Sequence, residues 1–299
     1  MAELRQTDDL SALVREIVGT NATVEILRPA TKLIDSTTIL RIDDRAFRCV
    51  LQISPAALPD VVQAACAKAK AFAAAVGLSL ASAMLLPIAE GRHQGRSFAI
   101  LPYRRSFSRN KIAWRIQRGA VTPAVLDWLA GLAGRADVRN DNVADVSLYR
   151  DNFRALISQE GISESLQKAG QIALDRLERQ ELEPRICPMH GDLWLGNILR
   201  APSGFTFPFS VIDWGGSAVR GYPAFDLVKI ACSYRLAPRR LGREHLRHAE
   251  ALGCSTADTH AHLLAALGHF VIHRGEMPIP KLLAMIHNCD EAHRRAMAS

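Results

Sequence analysis

An α+β fold, with a small antiparallel sheet first and a mainly helical remainder after it, is predicted by three features of the sequence. Three β-like runs, "TVEILR", "STTILRI" and "AFRCVLQIS", follow one another closely near the start, as hairpin-linked strands do. After Tyr103 the apolar spacing becomes helical and stays so for most of the chain. Two apolar segments interrupt the helices, "RICPMHGDLWLGNIL" and "FTFPFSVIDWGG", and each carries acids within it. The expected division is a first lobe over residues 1–103 and a second over 104–299.

The elements follow in order. A helix is predicted over 9–18, capped by Thr7 or Asp8 and stopped by Gly19. The three strands come next, with Asp43, Asp44 and Arg45 as the turn between the last two. An Ala-rich helix spans about 59–76 and ends at Gly77. Two further strands, "SAMLLPIA" and "SFAILPY", flank a turn "EGRHQGR". In "TPAVLDWLAGLAGRA", Thr122 is the predicted cap and Pro123 the first helical residue. Residues 149–158 and 163–180 read as amphipathic helices. The tail from 223 reads as four helices broken near Pro238, Gly253 and Gly275.

Bulk composition bounds the function. The chain has 299 residues, 48% hydrophobic and 22% charged, which suits one large domain or two lobes and argues against disorder. Residues 71–89 carry no charge, but Gly77, Pro87 and many Ala and Ser make them a helix end and a strand rather than a membrane span. The charged N-terminus does not resemble a secretory signal. Six scattered cysteines, with no CxxC pair, read as reduced thiols of a cytoplasmic protein. Between residues 91 and 126 there are eight Lys or Arg and no acid, a solvated face or an attractor of anions. No nucleic-acid-binding motif accompanies it. His269 and His273 have a metal-compatible i, i+4 spacing, but no further ligand completes a site.

The two acidic segments carry the chemistry. In "HGDLWLGNIL", Asp192 precedes Asn197 by five residues, and "FSVIDWGG" places Asp213 at the end of an apolar strand, before Gly215 and Gly216. Carboxylate and amide oxygens on neighbouring loops suit a hard cation such as Mg²⁺, which keeps several waters and needs few protein ligands beside phosphates. A second Asp, not bound to metal, can accept a proton from a substrate hydroxyl. Positioning, metal charge and a base near the attacking oxygen are what phosphoryl transfer needs. Trp194 and Trp214 flank these residues and are read as packing for the loops.

"HGDLWLGN", followed by "VIDWGGSAVRGYPAFDLVKI", resembles the aminoglycoside phosphotransferase and choline kinase family, relatives of the protein kinases. The resemblance spans roughly residues 23–231 and implies a two-lobed, protein-kinase-like fold. It implies that Asp192 is the catalytic base, that Asn197 and Asp213 hold Mg²⁺, and that His190 braces the catalytic loop. Asp226 would anchor that loop from the following helix. The donor would be ATP or GTP, its adenine or guanine meeting backbone groups of the hinge near Leu101 to Tyr103. "HGDLWLGN" is also similar to the fructosamine kinase subgroup, which usually has Pro where this chain has Trp214.

The first lobe departs from the family pattern. The phosphate turn "PATKLIDS" has no Gly, Gln52 stands where the family has a strand Lys, and residues 61–89 offer no Asp or Glu to pair with such a Lys. Strand alternation puts Arg48, Val50 and Gln52 on the cleft face. Gln52 brings a donor without charge, so Lys32 is the first candidate for a substitute cation and Arg48 the second. An alternative reading is a degenerate, kinase-like binding or regulatory protein. Residues 229–299 hold ten Lys or Arg against six acids, a poor lining for a polycationic drug and a better one for a neutral or anionic hydroxyl compound such as a sugar or amino sugar.

Overall fold

The computed structural model describes residues 14, 16, 22–29, 36–44, 47–136, 143–275 and 277–299. The predicted first helix falls almost wholly outside them, though Val14 and Glu16 are helical. The first lobe is a five-stranded antiparallel sheet in the order β1-β2-β3-β5-β4, made of β1 (Thr23–Arg28), β2 (Thr38–Asp43), β3 (Arg48–Ile53), β4 (Ala89–His93) and β5 (Arg96–Pro102). Leu40, Ile42, Cys49, Leu51 and Ile53 bury one face of the sheet. The opposite face carries Val50 and Gln52, as period-two alternation requires.

Helix α1 (Val61–Val76) belongs to two cores at once. Val62 and Cys66, near its start, pack with Ala99 of the sheet. Ala69, Phe72 and Val76, toward its end, join the second lobe's core beside Trp128 and Trp214.

Two expectations fail between α1 and the second lobe. The apolar run 82–89 is not a strand of the sheet. It begins after a short helix, α2 (Leu78–Ala81), and crosses the interior. There Met84 forms a single parallel bridge with Val211, fixed by Leu85 N donating to Val211 O (2.9 Å) and Val211 N to Ala83 O (2.7 Å). The edge strand is instead the polar "AEGRH", exposed along much of its length and so free of the apolar alternation that marks a strand. The second failure is helix α3 (Lys111–Ala133), which starts eleven residues before Thr122. Its cap is Asn110, whose side chain accepts from Ile112 N and Ala113 N. Pro123 lies inside the helix, and Thr122 donates its hydroxyl to Arg118 O (2.7 Å).

The second lobe is mainly helical: α4 (Val143–Ser158), α5 (Glu164–Glu178), α6 (Phe225–Tyr234), α7 (Pro238–Leu252), α8 (Thr256–Ile272) and α9 (Ile279–Met297). The four tail helices break near Pro238, Gly253 and Gly275, where the sequence places the breaks. Two short ribbons stand between α5 and α6, pairing β6 (Cys187–Met189) with β9 (Ala218–Gly221) and β7 (Ile198–Arg200) with β8 (Phe209–Val211). Gly268 lets α8 pack directly on α4, since a Cβ there would collide with the carbonyl of Asn152. These ribbons carry the two acidic segments.

Candidate active site

The loop after β6 is held from beneath. Asp226, buried at the start of α6, accepts from His190 N (2.5 Å) and Gly191 N (3.0 Å). Burial raises the Asp226 pKa, while His190 and the two N–H bonds favour the carboxylate. His190 is fully buried, and its Nε2 lies 2.9 Å from Ile212 O, to which it donates. Its Nδ1 then accepts from Asp192 N at 3.3 Å. Both ring nitrogens are therefore engaged, Nδ1 within its own loop and Nε2 by the segment that leads to Asp213.

Asp192 follows with an open side chain, 55% accessible. Water reaches the carboxylate, yet protein walls it on most sides, and this partial burial raises its pKa; facing Asp213 raises it further, while Lys229 pulls it down. Asn197 is buried, and its Nδ2 donates to Asp192 O (2.8 Å), which turns Oδ1 the other way.

Asp213 itself takes the left-handed conformation (φ 67°, ψ 65°) at the end of the β8 segment. The following glycines, Gly215 and Gly216, do not have positive φ. Their role is close approach. Gly191 is left-handed (φ 80°), and a Cβ there would stand 2.5 Å from Gly216 O. The Asp192 and Asp213 segments thus touch backbone to backbone, with Trp214 wedged between His190 (ring centroids 4.7 Å) and Phe72 (4.8 Å). Trp214 is core, whereas Trp194 is 48% exposed and lies over Gly196.

This donor set fits a hard cation. The Asp192 and Asp213 side chains are both exposed, Asp213 near enough to disfavour the Asp192 carboxylate, and the buried Asn197 amide is tied to the Asp192 backbone. Among the described residues no group of three or more His, Cys, Asp or Glu is arranged to hold a metal, so a softer or fully protein-ligated ion has no such site there. His269 packs against Tyr222 at 5.1 Å and His273 at 4.5 Å, as part of a helix interface.

The first lobe's candidates are placed differently. Gln52 Nε2 donates to Thr37 Oγ1 (3.1 Å), which also accepts from Arg28 (2.9 Å). Arg48 pairs with Asp43 and lies over the Tyr103 ring at 5.3 Å, so its charge is already engaged. Leu101 stands opposite Val50 in the sheet. Tyr103 N donates to Arg48 O (3.3 Å) and Tyr103 O accepts from Arg104 (3.2 Å), so both backbone groups of Tyr103 are engaged within the protein. Lys32 lies outside the described residues.

Two lysines reach the site that sequence reasoning passed over. Lys229 on α6 stands 3.8 Å from the Asp192 carboxylate. Lys68 on α1 donates to Gly215 O (2.6 Å). In the sequence each is only a cation on a largely apolar helix, Lys229 three residues past Asp226 and Lys68 four before Phe72.

A profile of the "Phosphotransferase enzyme family" matches residues 26–264. A search of curated proteins found no match. Among solved structures, the chain is similar to aminoglycoside phosphotransferase APH(4)-Ia, at 14% identity and TM-score 0.58 over 97% of this chain and 99% of that one. It is similar to a structure titled as a putative fructosamine-3-kinase from Haemophilus somnus 129PT, at 15% identity and TM-score 0.55 over 95% and 96%. It is also similar to choline kinase LicA from Streptococcus pneumoniae, at 11% identity and TM-score 0.55 over 97% and 99%. At these identities the likeness is one of fold, the two-lobed kinase-like fold. With the profile spanning well over half of the sequence, and that fold shared almost end to end, the chain belongs to the phosphotransferase enzyme family.

Proposed function

We propose that this phosphotransferase moves the γ-phosphoryl group of ATP or GTP to a hydroxyl of a small neutral or anionic molecule, such as a sugar or amino sugar. The observation that carries the reading is the backbone contact of Gly191 with Gly216, which sets Asp192 and Asp213 across one accessible site. Asp192 orients the acceptor hydroxyl and takes its proton as the new O–P bond forms and the β–γ bridging bond breaks, releasing nucleoside diphosphate. Asn197 Oδ1 and Asp213 would hold Mg²⁺, which supplies charge neutralisation on the phosphates when bound. His190 and Asp226 keep the loop in place without touching substrate.

The acceptor class is supported by charge. Lys229 beside Asp192, with Lys281 of α9 also favouring the Asp192 carboxylate, would repel a polycation. A second reading, a kinase-like binding protein without turnover, is favoured by Gln52 and by the absence of acids from α1. A thermal-shift panel of ATP, GTP and their diphosphates, with and without Mg²⁺, separates the two. We expect a Mg²⁺-dependent shift that Asp213→Ala abolishes; no shift with any nucleotide supports the binding protein.

A further inference from the structure

The first lobe's missing charge has a structural answer in α1. This helix carries two ionisable side chains, Lys68 and Lys70. Lys70 is engaged by Glu90 of the edge strand at 2.6 Å. Lys68, exposed, reaches the other way and sets its ammonium on the carbonyl of Gly215 at 2.6 Å. Gly215 is two residues past Asp213, and Asp213 Oδ1 lies 3.9 Å from where a Gly215 Cβ would stand. The backbone at this point is held by packing, because Phe72, one turn further on, is buried against Trp214 with ring centroids 4.8 Å apart. One carbonyl engages one of the three ammonium donors.

We propose that Lys68 is the cation that binds the β/γ-phosphates of the nucleotide, so that the charge comes from α1 rather than from β3. This inference rests on the phosphotransferase reading above. The reversal is self-consistent: a Lys at position 52 would face Lys68 across the same cleft, and an acid on α1 would neutralise the cation the phosphates need. Arg28 is the competing cation. Its backbone shares a cross-strand row with Ile39 and Gln52 two strands out from β3, about 10 Å away, while its guanidinium reaches inward to meet the Gln52 amide on the Thr37 hydroxyl and is hydrogen-bonded there. Arg48 is engaged by Asp43 and Tyr103.

The test is calorimetric binding of MgATP, MgGTP, adenosine and guanosine to the full chain. Lys68→Met should weaken triphosphate binding about 10- to 100-fold and leave nucleoside binding unchanged, while Lys68→Arg stays within about threefold of wild type. Arg28→Ala should have the smaller effect. Lys68→Gln serves as a second neutral variant, with circular dichroism checking the fold of each. Unchanged triphosphate affinity in both neutral variants, alongside normal wild-type binding, overturns the inference and leaves the proposed function standing. Equal losses for nucleoside and triphosphate also overturn it, since Lys68 would then merely fasten α1 to the metal loop. If wild type binds no triphosphate at all, the proposed function falls and takes this inference with it.

Discussion

The two lobes treat their charged groups in opposite ways. In the second lobe, Asp226 and His190 are buried and spend their hydrogen bonds on one loop, so that Asp192 and Asp213 stand open with little freedom to move. In the first lobe, polar groups of the sheet engage one another: Arg48 and Arg41 with Asp43, Arg41 with Glu25, and Arg28 and Gln52 with Thr37. The open acids of the second lobe thus stand on a buried scaffold, while the polar groups of the first lobe's sheet form partly solvated pairs that substitution can rewire.

That contrast can be broken or sharpened in four ways. Asp192→Asn should lower kcat about 10³-fold or more while melting at the wild-type temperature. Substantial residual turnover would move the base elsewhere. Gly191→Ala comes next. Its Cβ must push against Gly216 O from a left-handed backbone, at a cost of roughly 1–3 kcal/mol. Parting the two loops should cost about 10²-fold in kcat, and a variant with normal kcat would show that their contact does not set the site.

Acid should act on the second lobe selectively. His245 of α7 meets His293 of α9, which is stacked on His260 beside Asp290 and Arg294, while His248, three residues on from His245, bonds Glu244 O next to Arg247. Burial pushes His245 down to about 3, His248 to about 4 and His293 to about 2. The folded chain refuses protons that the unfolded chain accepts below about pH 6.5, so stability is full above that pH and falls as pH drops toward 4. Calorimetry from pH 7.5 to 4.5 should show Tm falling by several degrees, with a shallower slope in His293→Asn. A flat profile would remove the burial account. The smallest effect belongs to Arg48→Ala, which should leave nucleotide affinity within about threefold, because its charge is spent on an exposed pair. A tenfold loss would restore Arg48 as a phosphate ligand.

Much of this was legible in sequence where one local rule governed. Strands β2 and β3 alternate buried and open residues, and the tail helices are separated by Pro and Gly. Errors arose where tertiary context overrode a local signal. Pro123 imitates a helix start, yet α3 runs through it, and the basic residues before it resemble a solvated loop more than a helix. The run 82–89 is apolar because it crosses the core beside β8, not because it pairs in the sheet. The order of His, Asp and Asn singled out two loops that the structure brings into contact. The contact between Gly191 and Gly216, and the reach of Lys68 and Lys229, depend on distances across the chain that no spacing encodes.

Helix α1 has its early turns in the sheet's packing and its late turns in the second lobe's. It therefore acts as a strut. Swinging the lobes apart would peel Val62 and Cys66 from Ala99 or Phe72 from Trp214, and either exposes apolar surface to water. The relative placement of the two lobes is thereby restrained before any ligand arrives, and a ligand that touches both would lose less free energy to ordering them than with a freely hinged pair.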